Sequence, residues 1–272
     1  MEQQRTYTRT TVKRRPTYQQ WKRRKTLRLV RNWMLFLAGC AVVVFLMTRM
    51  ILWFLPRITA VIYGPKVFAA EPYNEWSYVF DETDARLVIV NGNTPYTEEP
   101  QPLLSEADEA GILLEAEAAM AYRSMAAAAQ ADDVVLILTE GYQDAASRTE
   151  RYEARMQTYL DQHKTEEEAA ALAGSIEPAA ECNEYGTGYA VDILCKGYEN
   201  MDTGFAETRA FEWLNAYAAE YGFILRYPQD RQAATGVVYE PWHWRYVGRD
   251  NALAIRASGL SLEEFVALKK SE

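Results

Sequence analysis

Trp33–Leu55 is a run of 23 apolar residues interrupted mainly by Thr48 and Arg49, and it constrains this chain more than any other feature. At a helical rise of ~1.5 Å per residue, such a run reaches about 35 Å, enough to cross a hydrocarbon core of ~30 Å. A transmembrane helix is therefore expected over 33–55. Arg49 falls within two turns of the outer end, where its long side chain can reach the headgroups. Trp33 and Trp53 would mark the two interfaces. Residues 1–32 carry eleven Lys and Arg against Glu2 alone, which puts the N-terminus in the cytoplasm by the positive-inside rule. The totals of 29 basic and 38 acidic residues leave 18 and 37 for the rest of the chain, which would lie outside the cell membrane. The basic arm suits anionic lipid and topology, and no nucleic-acid partner is expected. A cleaved signal peptide is the alternative, since Val67-Phe68-Ala69 is a passable small-residue site. The apolar run is long for such a peptide and ends more than ten residues earlier, so an anchor is expected.

Four segments follow: a basic arm at 1–32, the span at 33–55, a connector at 56–86 and an extracytoplasmic domain at 87–270. The connector is rich in aromatics, including Tyr63, Phe68, Tyr73, Trp76, Tyr78 and Phe80. Leu87–Val90 is a short apolar run closed by the turn signal Asn91-Gly92, and a loop is expected up to Pro102. Helical spacing is read over 105–130 (Leu113, Ala116, Met120, Ala127) and again over Ala145–Leu160. Thr165-x-x-Glu168 and Ser261-x-x-Glu264 are capping boxes that open two more helices. Further helices are expected at Phe205–Tyr221 and Asp250–Ala257, the latter stopping at Gly259. Strands are expected at Val134–Leu138, Tyr189–Leu194, Phe223–Arg226 and Trp242–Val247. Helices and short strands mix without a regular β-α-β rhythm, which predicts an α+β domain with a small antiparallel sheet and flanking helices, preceded by one transmembrane helix. Of three cysteines, Cys40 lies in the span. Cys182 and Cys195 either form a bridge closing a loop of 14 residues, worth about 3 kcal/mol in the chain-entropy model, or stay as two thiols.

Two strings carry chemistry. Glu240-Pro241-Trp242-His243 sets a carboxylate and an imidazole three residues apart around a proline bend entering a strand. Hydrolysis at zinc needs three protein ligands, an open position for water, and a carboxylate to take that water's proton. Alone, Glu-x-x-His fits equally a solvent glutamate and a packed histidine. About fifty residues upstream lies Asn183-Glu184-Tyr185-Gly186-Thr187-Gly188-Tyr189-Ala190-Val191-Asp192.

With the flanking Arg245-Tyr246-Val247-Gly248, these strings resemble the active-site motifs of the VanY-like zinc D-alanyl-D-alanine carboxypeptidases. The resemblance covers about residues 87–268 and includes Tyr221-Gly222-Phe223-Ile224-Leu225-Arg226-Tyr227-Pro228 and Leu262-Glu263-Glu264. It implies a zinc site with Asp192 and His243 as ligands and Glu240 as the base. It places Gln143, Asn183, Trp242 and Arg245 on the substrate side of the cleft. The family pattern Ser-x-His-x-x-Gly-x-Ala-x-Asp is broken, with Asn183 at the Ser position and Tyr185 at the ligand His position. The only other histidine is His163, read as a surface residue. The family string Ser-Gly-Tyr-Arg-Ser, whose Arg is thought to hold the substrate carboxylate, reads Glu140-Gly141-Tyr142-Gln143-Asp144 here. Gln cannot make the bidentate charged contact, a loss of about 1.5–3 kcal/mol in affinity. Tyr185 is expected to pack into the vacated metal space, with ligation by its phenolate or by Cys182 as alternatives.

The scaffold strings are kept while three site positions have changed, which suits a retained fold with altered chemistry. The expectation is a single-pass membrane protein that engages peptidoglycan stem peptides or a cell-wall protein, with zinc hydrolysis weak or lost. One rival is an active D,D-carboxypeptidase using Asp192, His243, a substitute ligand and Glu240. The other is a structural module of the cell envelope.

Overall fold

The computed structural model describes residues 17–63, 67–73 and 78–272. Residues 1–16 of the basic arm and Trp76 of the connector lie outside the described residues. The chain divides into two compact units, Met1–Val67 and Phe68–Glu272.

Among its described residues the first unit contains one helix, α1 (Tyr18–Tyr63), of 46 residues. Its stretch Trp21–Phe54 is long and apolar enough to cross a membrane. The helix overruns the expected 33–55 at both ends; its N-terminal flank is rich in Lys, Arg, Leu and Gln, all good helix formers. Its C-terminal overrun takes in the first residues of the expected connector. The Thr48 hydroxyl donates to the Val44 carbonyl at 2.8 Å, so the one hydroxyl of the apolar run is satisfied within the helix.

The first strands of the second unit form a hairpin, β1 (Leu104–Glu106) and β2 (Leu113–Glu115), followed by helix α2 (Ala116–Ala131). A single helix over 105–130 was expected, and its first third is this hairpin instead. The Asp108 carboxylate accepts from the Ile112 N–H, and Gly111 takes φ +82°, which fixes the turn. Glu115 then accepts from the N–H groups of Glu117 and Ala118 and starts α2. Upstream, the Asn91-Gly92 turn forms around the Asn91 side chain, which accepts from the Asn93 and Thr94 N–H groups.

The main sheet contains β3 (Leu136–Glu140), β4 (Ala190–Cys195), β5 (Phe223–Leu225) and β6 (His243–Tyr246), ordered β3-β4-β6-β5 with every neighbouring pair antiparallel. Helices α3 (Ala145–Asp161), α4 (Glu166–Gly174), α5 (Arg209–Tyr217), the short α6 (Gln232–Thr235), α7 (Arg249–Ser258) and α8 (Leu262–Ser271) complete it. Both expected capping boxes are present, at Thr165 and Ser261. The helix expected over Phe205–Tyr221 is a central α-helix, α5, between two 3-10 turns, because Thr208 caps it through the Phe211 N–H. Helix α6 went unread in the sequence, being a single turn.

Strand alternation decides which side chains meet. Val191, Ile193 and Trp244 face the core that α2 and α5 complete with Tyr122, Met125, Trp213 and Leu214. Asp192 and His243 pair across β4 and β6 on the opposite face, as do Ala190 and Arg245. A second core cluster joins Ile224 to Leu253, Ile255 and Phe265 of the last two helices. Cys182 and Cys195 are both free thiols, so the bridge considered for them is not formed.

Candidate functional site

The β4–β6 register brings the two sequence strings into one place. Asp192 lies directly opposite His243, and its carboxylate oxygen stands 2.9 Å from His243 Nδ1. The turn leading into β6 is closed by the His243 N–H donating to the Glu240 carbonyl at 3.1 Å, across Pro241 and Trp242. It presents the Glu240 carboxylate 3.9 Å from the same Nδ1. Upstream, the Asn183 side chain accepts from the Tyr185 N–H at 3.0 Å and caps a short 3-10 turn, Glu184–Thr187. Gly188 ends that turn at φ +72°, where a Cβ would lie 2.8 Å from the Glu115 backbone nitrogen. This turn swings Tyr185 over His243, with their rings edge-on and centroids 5.0 Å apart.

Every polar edge of His243 is engaged. The Tyr185 hydroxyl is 2.9 Å from Nδ1, the nitrogen that also faces Asp192, and it engages the Asp192 carboxylate as well. Nε2 stands 3.0 Å from Glu184, and the Tyr227 ring stacks on the imidazole at 4.8 Å. Burial alone would lower the His243 pKa; the hydrogen bonds to Asp192 and Glu184 reverse this and lift it to about 10. Both ring nitrogens thus face carboxylates, Nδ1 toward Asp192 and Nε2 toward Glu184. Burial, and then the Asp192 charge, pushes the Tyr185 phenol well above its ordinary range, so its hydroxyl stays protonated. Burial lifts Glu240 to about 8, with His243 opposing and Asp192, Glu177 and Glu184 reinforcing.

A zinc site needs three converging donors. Asp192 and His243 meet as an ion pair, and position 185 supplies a protonated phenol. Among the described residues no three His, Cys, Asp or Glu side chains converge to hold a metal ion. Cys182, weighed as a substitute, is not among the side chains lining the cavity. His163 follows the C-cap of α3 on the surface, at φ +63°. The residues present do not fit zinc.

The space in front of these groups remains open, as a cavity of about 650 Å³ lined by Tyr185, Asp192, Tyr227, Glu240, Trp242 and His243, with Arg151 and Glu177 at its side. Trp242 is part of its lining. Asn183 reaches its wall, but its oxygen caps Tyr185 and its amide donates to Glu177 at 3.2 Å. Two residues expected on the substrate side lie away from the cavity lining. Arg245 is fully buried, pairs with Glu184 at 2.8 Å and donates to the Arg86 and Val88 carbonyls, which makes it part of the scaffold. Gln143 is buried outside the cavity lining, with its amide on Glu140.

Several participants went unread in the sequence. Glu184 is fully buried between His243, Arg226 and Arg245, and Arg226 passes the network on to Glu263. Burial would raise the Glu184 pKa, but the two guanidiniums and His243 hold it far below the usual carboxylate range. Its position beside Tyr185 was a signal, and Arg226 sat in the quoted Tyr221–Pro228 string. Arg151 bridges Glu140 at 2.9 Å and Glu177 at 3.3 Å, with no motif to mark it.

The model of the VanY D-alanyl-D-alanine carboxypeptidases matches residues 111–249. A D-alanyl-D-alanine carboxypeptidase of Enterococcus faecalis is 31% identical over 190 residues, spanning 70% of this chain and 69% of that protein. The crystal structure of VanYB in complex with D-alanine-D-alanine is similar at a TM-score of 0.60 and 31% identity, covering 67% of this chain and 97% of the other. A vancomycin-resistance D,D-pentapeptidase VanY variant in complex with Zn(II) also matches at a TM-score of 0.60, with 30% identity over 66% of this chain and 98% of that one.

Proposed function

We propose that this chain, which belongs to the VanY family of D-alanyl-D-alanine carboxypeptidases, binds peptidoglycan stem peptides at the outer face of a membrane without hydrolysing them through zinc. The observation that carries this is the Tyr185 hydroxyl, 2.9 Å from His243 Nδ1, in a site where both imidazole nitrogens already have partners. Glu240 keeps its place beside His243, but a base with no metal-bound water has nothing to deprotonate. Recognition is favoured over a purely structural role because the cavity of about 650 Å³ stays open in front of Tyr185. The relatives' complexes with Zn(II) and with D-alanine-D-alanine indicate what this cleft inherited, and the changed residues indicate what it gave up.

The apolar stretch of α1 supports a single-pass anchor, and the basic residues before it support a cytoplasmic N-terminus. We place the arm at 1–32, the span at 33–55, the connector at 56–86 and the binding domain at 87–270. The test is calorimetric titration of the detergent-solubilised chain with a D-Ala-D-Ala-terminated stem peptide, alongside a D-alanine release assay with added zinc. Binding without release above that of Glu240→Ala is expected. Release that disappears in Glu240→Ala would mean a working zinc hydrolase, and absence of binding would favour the structural role.

A further inference from the structure

The resemblance leads one to expect a carboxylate-holding arginine at position 143, where this chain has Gln143 outside the cavity lining. Two arginines farther along do line the cavity. Arg151 and Arg155 are four residues apart on α3, so they share one helix face, and both border the cavity beside Tyr185.

The other charged groups of this wall are committed. Asp192 and Glu184 hold His243, and Glu240 stands 3.9 Å from its Nδ1. Asp202 accepts from the Tyr198 hydroxyl and the Gly204 N–H, at 2.5 and 2.8 Å. Arg151 is held between Glu140 and Glu177, and Asn183 also donates to Glu177. Arg155 alone among these charged lining groups has neither a hydrogen bond nor a close ion pair among the described residues, its charge being felt at longer range by Glu177. It is exposed at the rim, one turn beyond the Arg151–Glu177 pair. A guanidinium whose N–H groups are not hydrogen-bonded is a rigid fork of donors matched to a carboxylate.

We propose that Arg155 is the specificity-determining cation of the cleft and takes the terminal carboxylate of a bound peptide, with Arg151 fixed behind it by Glu140 and Glu177. Anion recognition has thereby moved from the residue before the α3 N-cap to the middle of α3. A ligand held here would lie displaced toward α3, which suits a site that positions no scissile bond over a metal. This inference rests on the cleft being a peptide site.

The experiment titrates the full chain in detergent with two probes, a stem peptide ending in D-Ala-D-Ala as the free acid and the same peptide as its C-terminal amide. The wild type is expected to favour the acid by about 10–100-fold, the worth of one charge-assisted hydrogen-bonded contact. Arg155→Gln is expected to remove that preference while leaving amide affinity and the melting temperature unchanged, and Arg155→Lys to restore part of it. Equal wild-type binding of acid and amide overturns the assignment while leaving the peptide-binding reading intact. So does a preference that survives in Arg155→Gln. If the wild type binds neither probe, both fall.

Discussion

At the scale of single residues, the site is a chain of buried charges with Glu184 at its centre. This carboxylate faces His243, Arg226 and Arg245 at 2.8–3.0 Å, and all four side chains are buried. Removing one member of such a network leaves its partners charged and unpaired, at a cost of about 3–5 kcal/mol. Glu184→Gln is therefore expected to lower unfolding stability by that order in urea titration of the circular dichroism signal; a loss below about 0.5 kcal/mol, the size of an ordinary surface substitution, would contradict the network's role. Tyr185 shows how far the sequence could be read. Its departure from the family pattern was visible, and so was its expected packing into the metal space. Its hydrogen bond to His243 was not, because the two are 58 residues apart and meet only through the β4–β6 register. The pairing of Glu184 with Arg245, 61 residues away, was hidden for the same reason. Arg245 was placed on the substrate side by the resemblance, which does not say which side chains the neighbouring chain covers, here the carbonyls of Arg86 and Val88.

At the scale of elements, local signals were read well wherever the chemistry is local. Both capping boxes, the Gly259 stop and the strand pair carrying Asp192 and His243 were legible. The hairpin before α2 was not, since Leu113 and Ala116 also fit helical spacing and Asp108 sets the turn through its own side chain. The 3-10 turn Ala85–Leu87 was likewise missed. Its cap, Asp84, accepts from Arg86 and from Asn251 of α7, tying this segment to the last helices. Burial would raise the Asp84 pKa, but the Arg86 and Asn251 hydrogen bonds prevail and hold it below 3.8. A depressed carboxylate contributes stability that is present above its unfolded pKa and lost as pH falls through the folded one. Thermal melts should therefore show a loss below pH 3.8 that is smaller in Asp84→Asn. Identical pH profiles for the two proteins would remove this tether from the account.

At the scale of the whole molecule, the two compact units correspond to the division between the basic and apolar N-terminal stretch and the acidic remainder. A fragment of residues 68–272 is expected to fold and stay soluble, while the full chain should resist carbonate extraction from membranes. A full chain released by carbonate would argue against the anchor. The family was legible from two strings because the scaffold around them is retained; the state of the metal site depended on where the hydroxyl at position 185 lands. Zinc stoichiometry by metal analysis, after equilibration and desalting, tests this most directly in the wild type and in Tyr185→His. The account predicts a wild-type chain without stoichiometric zinc, and a variant that binds one zinc per chain because a third donor has joined Asp192 and His243. One zinc per wild-type chain, lost in His243→Ala, would contradict it.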